Sequence, residues 1–179
     1  MARGPAAGDA AAGDAAAGDV VLSGYVAGAL GRVVEMHARY YHAEWGFDLF
    51  FESKVAGELA AFLDRYDAAK DLFRVALIDG RVVGSIVIDG GGPDDPDGAR
   101  LRWFIVSPEA QGRGAGKRLM NAAVDFARQA GLGRVHLWTF AGLDAAAGLY
   151  EAAGFELVEE RDDDRWGKTV TEQKFVLEI

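Results

Sequence analysis

The stretch Leu101-Arg-Trp-Phe-Ile-Val-Ser-Pro-Glu-Ala-Gln-Gly-Arg-Gly-Ala-Gly-Lys-Arg-Leu-Met120 constrains the fold of this chain more than any other. A β-rich run, 101–106, enters a turn carrying Gly112, Gly114 and Gly116. Beyond the turn Leu119, Ala123, Phe126 and Ala130 recur at helical spacing, so the turn opens an amphipathic helix. A strand that feeds a helix through a short turn belongs to an α/β chain, because the helix must bury its apolar face on a sheet. Glycines let the backbone take positive φ and approach a ligand closely. Successive amide N–H groups can then converge on one anion, with the positive end of the helix behind them. Arg113, Lys117 and Arg118 add cationic charge in a chain with 19 Lys and Arg against 28 Asp and Glu, net −9. That local reversal points to a phosphate or pyrophosphate ligand.

Other glycine-rich templates fit poorly. A P-loop needs Gly where Gln111 stands and Ser or Thr where Arg118 stands. The dinucleotide fingerprint needs its third Gly at Lys117 and an earlier place in the chain. A plain strand-to-helix turn would need only one or two glycines.

The remaining pattern alternates strands and helices. The first 19 residues repeat Ala-Ala-Ala-Gly-Asp, ending at Asp9, Asp14 and Asp19, with no large apolar side chain to bury. They read as a disordered tail, 1–19, before a single domain, 20–179. A partner-binding arm is the functional alternative for the tail. Without its charges the domain still carries −7, so the acidity belongs to the domain. The pattern predicts a short strand at 20–22, helices at 26–41 and 49–66, and strands at 72–78 and 82–88 joined through Asp79-Gly80. An exposed loop follows at 90–98, then the strand, turn and helix already described, ending near Ala130. A strand at 134–140, a helix at 144–153 and strands at 155–160 and 169–177 complete an α/β order with a mixed sheet.

Composition excludes further classes. The acid excess disfavours nucleic acid, and no apolar run approaches a membrane span. Cysteine is absent, which removes disulfides, thiolate metal sites and a Cys nucleophile. The chain reads as cytoplasmic. His37, His42 and His136 lack metal-ligand spacing, Arg161-Asp-Asp-Asp-Arg165 reads as a solvated loop, and no metal site is expected. Ser107 lacks the glycines of a nucleophile elbow and reads as a turn former.

Gln111-Gly-Arg-Gly-Ala-Gly116 resembles the Gln/Arg-x-x-Gly-x-Gly/Ala motif of the GNAT N-acetyltransferase superfamily. Leu149-Tyr-Glu-Ala-Ala-Gly-Phe155 resembles that superfamily's Leu-Tyr-x-x-x-Gly-Phe element. Tyr40 to Phe51, Trp138-Thr-Phe-Ala-Gly-Leu143 and Val170-Thr-Glu-Gln173 look like acetyltransferase domains fused to MarR-type regulators. The resemblance covers roughly 20–179. It implies a mixed, mostly antiparallel twisted sheet, splayed at the cofactor site and flanked by helices. It implies an N-acetyltransferase that moves an acetyl group from acetyl-CoA, its co-substrate, directly to a primary amine of a small molecule or protein. A non-catalytic acyl-CoA sensor or interaction module of the same fold is the alternative, and a homodimer remains open.

By the same resemblance, the backbone amides of Gly112, Arg113, Gly114, Ala115 and Gly116 hold the pyrophosphate, and Gln111 and Lys117 also bind the cofactor. Ile105 and Val106 would pair with the pantetheine arm, beside a bulge that parts this strand from 134–140. Tyr150 matches the family's general acid; the alternative is a helix residue with a solvated hydroxyl. Asp144 stands where members place a cofactor-contacting Asn, and reads first as a helix N-cap. Glu44 and Glu52, with Asp48 and Glu172, are candidates for the base; each reads first as a solvated surface carboxylate. Trp45, Phe47, Trp103 and Trp138 are candidate walls of an acceptor pocket.

Overall fold

The structure is a computed structural model that describes residues 18–91, 96–164, 166 and 168–179. Most of the expected tail and residues 92–95 of the expected loop therefore lie outside the described residues. The elements run β1 (Val21–Ser23), α1 (Ala29–Trp45), α2 (Leu49–Asp64), β2 (Leu72–Ile78), β3 (Arg81–Asp89), β4 (Ala99–Val106), α3 (Ala115–Gln129), β5 (Arg134–Phe140), α4 (Asp144–Ala152), β6 (Glu156–Asp163) and β7 (Val170–Glu178). The strands form one 7-stranded sheet in the order β1-β2-β3-β4-β5-β7-β6. Every pairing is antiparallel except β4 with β5, where α3 carries the chain over to the next strand. The expected class, a mixed and mostly antiparallel sheet flanked by helices, is the observed one.

Local chemistry sets the element ends. At the β2–β3 hairpin Asp79 and Gly80 both take positive φ, 48° and 77°, as a two-residue turn matched to strand twist requires. Asp48 caps α2 by accepting from the Phe50 amide at 3.1 Å. Each sheet face carries its own apolar layer. Leu119, Met120 and Ala123 of α3 and Tyr150 of α4 pack with Leu101, Leu137 and Phe175. Val33, Val34 and Met36 of α1 and Phe51, Val55 and Phe62 of α2 pack with Phe73, Val87, Trp103 and Phe140.

One irregularity shapes the centre. Ser85 pairs with Ile105 and Val87 with Arg102, so Trp103 and Phe104 together oppose Ile86. That extra residue is a β-bulge, and Trp103 takes φ 45° to accommodate it. The bulge shifts the alternation of β4. Leu101 faces the α3 layer, whereas Arg102 reaches α2 and Trp103 packs in the α1–α2 layer. On the other edge of β4, pairing with β5 stops after Ala99↔Val135 and Arg100↔His136. From there the two strands part and the sheet is open between them.

Two details correct the sequence reading. β6 continues through Arg161, Asp162 and Asp163, where a solvated loop was expected. Pairing explains it: Arg161 stands opposite Glu172 and Asp162 opposite Thr171, whose Oγ1 donates to Asp162 Oδ1 at 2.7 Å. Asp144 does not occupy the N-cap of α4. Leu143 does, and Asp144 is the first helical residue, where its charge still favours the helix N-terminus.

Candidate active site

The glycine turn between β4 and α3 has the form its sequence requires. Gly112 and Gly114 take φ 72° and 78°, and a Cβ at either would meet nothing within 4 Å. These glycines serve backbone conformation beside open space. Gly116 serves a different purpose: a Cβ there would lie 3.0 Å from Leu149 Cδ1, so its absence lets α3 sit close to α4. The first bond of α3 runs from the Arg118 amide to Gly114 O at 3.0 Å. The amides of Gly112, Gly114, Ala115, Gly116 and Lys117 find no backbone acceptor among the described residues. Ser107, just before the turn, buries a hydroxyl that has no hydrogen-bond partner among the described residues. Unpaired donors beside open space suit an anionic ligand. Arg113 and Arg118 also donate to backbone oxygens of Gly18 and Val20, so the N-terminal segment borders this turn.

A cavity of about 100 Å³ lies where β4 and β5 part. It is lined from both faces of the sheet, which is possible only where no strand-to-strand hydrogen bonds close the gap. Tyr150 approaches from α4; His37 and Tyr41 approach from α1, and Lys54 and Glu58 from α2. Arg100 to Phe104 and Leu137 to Phe140 form the two strand walls, and Trp166 and Glu172 close it from the β7 side.

Tyr150 is buried against Phe104, Phe155 and Phe175, with ring centroids 5.9, 6.1 and 5.6 Å away. Its side chain is therefore enclosed and borders the cavity. Burial pushes its pKa far up, only partly offset by a hydrogen bond with Thr139, so it stays a proton donor at neutral pH. Tyr41 is partly buried, and desolvation raises its pKa and holds it protonated. His37 is pulled down to about 4 by burial, against a hydrogen bond from Nδ1 to Val33 O at 2.8 Å. The carbonyl can only accept, so Nδ1 carries the proton and Nε2 is the unprotonated nitrogen.

The sequence candidates for the base separate clearly. Glu44 and Glu52 are exposed and do not line the cavity, and Asp48 is occupied as a helix cap. Packing explains the first two: both lie on helix faces turned away from the α1–α2 apolar layer. Glu172 is 1 % exposed, lines the cavity, accepts from Trp166 Nε1 and lies 3.7 Å from Arg161. Of the four aromatic candidates, Trp103 and Trp138 line the cavity. Trp45 and Phe47 instead pack behind it around Tyr41 and Phe140. Ile105 and Val106 lie on β4 between the cavity and the glycine turn. Sequence reasoning missed His37, Glu58, Arg100 and Arg102. Glu58 accepts from Lys54 at 2.8 Å and pairs with Arg102. Burial pushes its pKa up, but these cations together outweigh that and hold it below the usual value. Only Arg100 and Arg102, two cations in an otherwise apolar strand, left a trace in the sequence.

Among the described residues no group of three or more His, Cys, Asp or Glu could hold a metal ion. No helix among them is long and apolar enough to cross a membrane.

A profile described as the acetyltransferase (GNAT) family matches residues 30–155. The chain is 28% identical to an uncharacterised N-acetyltransferase of Methanocaldococcus jannaschii over 65% of its own length and 53% of that protein's. It is 30% identical to the N-acetylaspartate synthetase of Danio rerio over 72% of its own length and 45% of that protein's. It thus spans about half the length of these curated relatives. An acetyltransferase structure from Salmonella typhimurium, solved with its cofactor acetyl-CoA, superimposes with a TM-score of 0.71 at 14% identity. The overlap covers 89% of this chain and 94% of that one.

Proposed function

This chain belongs to the acetyltransferase (GNAT) family, and from that premise we propose that it transfers an acetyl group from acetyl-CoA directly to a primary amine. The observation that carries the proposal is the opening between β4 and β5, where Tyr150 from one face and Glu172 from the other border a single cavity. The unpaired amides of Gly112 and Gly114 to Lys117, with Arg113 beside them, suit the pyrophosphate of the co-substrate. The parted edge of β4 near Ile105 and Val106 suits the amide-bearing pantetheine arm, which can pair as an added strand does. Asp144, exposed at the start of α4, would border the same ligand.

Acetyl-CoA supplies an activated thioester: the amine nitrogen bonds to the carbonyl carbon, the C–S bond breaks, the ammonium gives up a proton and the thiolate takes one. An alkylamine has a reference pKa of about 10.4, so a group must take that first proton. Glu172 is the sequence candidate that borders the cavity, and we assign it this role in place of Glu44 and Glu52. Tyr150, kept protonated by burial, gives a proton to the departing sulfur. No Cys is present, so no acetyl-cysteine step is required.

The test measures thiol release from acetyl-CoA against a panel of amines, with mass detection of the acetylated product. Tyr150→Phe should lower turnover by about 10²-fold or more while acetyl-CoA affinity persists. Unchanged turnover would remove Tyr150 from the mechanism. Tight acetyl-CoA binding with no product from any amine would favour an acyl-CoA sensor instead.

A further inference from the structure

On the premise that the chain is an acetyltransferase, we propose that its acceptor is a small amine that also carries a carboxylate, an α-amino acid in its simplest form, with Arg100 and Arg102 binding the carboxylate. The two arginines stand two residues apart on β4, before the bulge, so both side chains leave the same face of the strand. That face is the α1–α2 face, because Arg102 reaches Glu58 of α2. Arg100 acts electrostatically on the same Glu58 carboxylate. Both line the cavity.

The charge balance favours an anion. Among the described lining residues, Lys54, Arg100 and Arg102 are cationic and Glu58 and Glu172 are anionic. Glu58 already serves Lys54 and Arg102, and Arg102 also lies 3.8 Å from Asp89, which Arg65 holds. Glu172 lies across the cavity against Trp166 and Arg161. Among the described lining residues the α2–β4 side thus carries Lys54, Arg100 and Arg102 with Glu58, inside a wall of Tyr41, Phe51, Trp103 and Phe140. Rings that exclude water strengthen a charge pair there, and guanidinium forks match carboxylate geometry. A polyamine would bring further positive charge to that side and gain nothing from it. The volume of about 100 Å³ suits a molecule of amino-acid size. An amino acid would also place its two charges against opposite sides of the cavity, carboxylate toward Arg100 and Arg102 and ammonium toward Glu172.

The test gives the full chain acetyl-CoA and the common L-amino acids, each alongside its α-amide, with putrescine as a carboxylate-free amine. Products are read by mass. The expected result is at least one acid whose kcat/KM exceeds that of its amide by about tenfold or more, with the acid-to-amide ratio falling toward one in Arg100→Gln and Arg102→Gln. The ratio is taken within each variant, so a partly folded variant does not distort it. Amides or putrescine acetylated as well as the acids, or a ratio that survives both substitutions, would overturn the carboxylate pocket and leave acetyl transfer standing. Should no amine yield product, equilibrium dialysis of labelled amino acids and amides with coenzyme A present decides the matter. Acids bound over amides would support the pocket while acetyl transfer fails; equal binding, or none, would overturn the pocket.

Discussion

At Trp103 a bulky side chain sits on backbone with φ 45°, a conformation that L residues other than Gly, Asn and Asp rarely take. Its neighbours offset the strain. The Ser85 hydroxyl donates to the Trp103 carbonyl at 2.7 Å in a fully buried setting, and the Arg102 guanidinium lies 4.0 Å from the indole centroid. The bulge lies on β4 just beyond the point where that strand stops pairing with β5, so Ser85 supports a cavity wall although it does not line the cavity. Ser85→Ala should leave the Trp103 carbonyl without its partner and destabilise the fold by about 1–3 kcal/mol. Urea denaturation measures this. A loss below a few tenths of a kcal/mol would mean that the bulge is held by packing alone.

The turn and helix that suit the cofactor were legible in the sequence because their chemistry is local. Gly112 and Gly114 take positive φ, and the adjoining amides are unpaired because a helix start leaves them so. Gly114→Val should therefore strain the N-cap of α3 by about 1–2 kcal/mol and crowd the open space before it. Acetyl-CoA affinity, read by isothermal titration, should drop by an order of magnitude or more; retained affinity would remove the turn from cofactor binding. The hairpin at Asp79-Gly80, the apolar face of α2 and the strand 134–140 were legible for the same local reason. The cavity walls were not. Glu58, Arg100 and His37 meet only because α1 and α2 fold over β4, and nothing in the spacing of one element announces another element's neighbour. Glu44 and Glu52 lie off the cavity for the converse reason: the sequence places them near the helix junction, but the direction of their side chains depends on which helix face meets the sheet. The strand end at 161–163 was hidden because its stabilising partners, Thr171 and Glu172, are contributed by β7.

Over the whole molecule, total charge and local charge diverge. A chain with net −9 has a cavity whose β4 wall carries Arg100 and Arg102, so the total charge does not describe the site. Burial imposes a second global property, acid sensitivity. His37 is pulled down to about 4 from an ordinary value of 6.5. Above pH 6.5 it is neutral in both folded and unfolded chains and costs nothing. As pH falls through 6.5 the unfolded chain binds a proton that the folded chain refuses, so stability declines until the folded group also titrates near 4. The decline amounts to about 3 kcal/mol over that window. His136 is also lowered by burial and adds in the same direction. Carboxylates held low by cations, Glu35, Glu58 and Asp97, lose their contribution only further down, as pH falls from their ordinary values of 4.5 and 3.8 through their lowered folded values. His37→Phe isolates the histidine contribution: its stability, from denaturation midpoints at pH 7 and pH 5, should change less between the two than that of the parent chain. Parallel pH profiles for parent and variant would show that His37 takes up its proton in the folded state, which would place water or a carboxylate at Nε2 within the cavity.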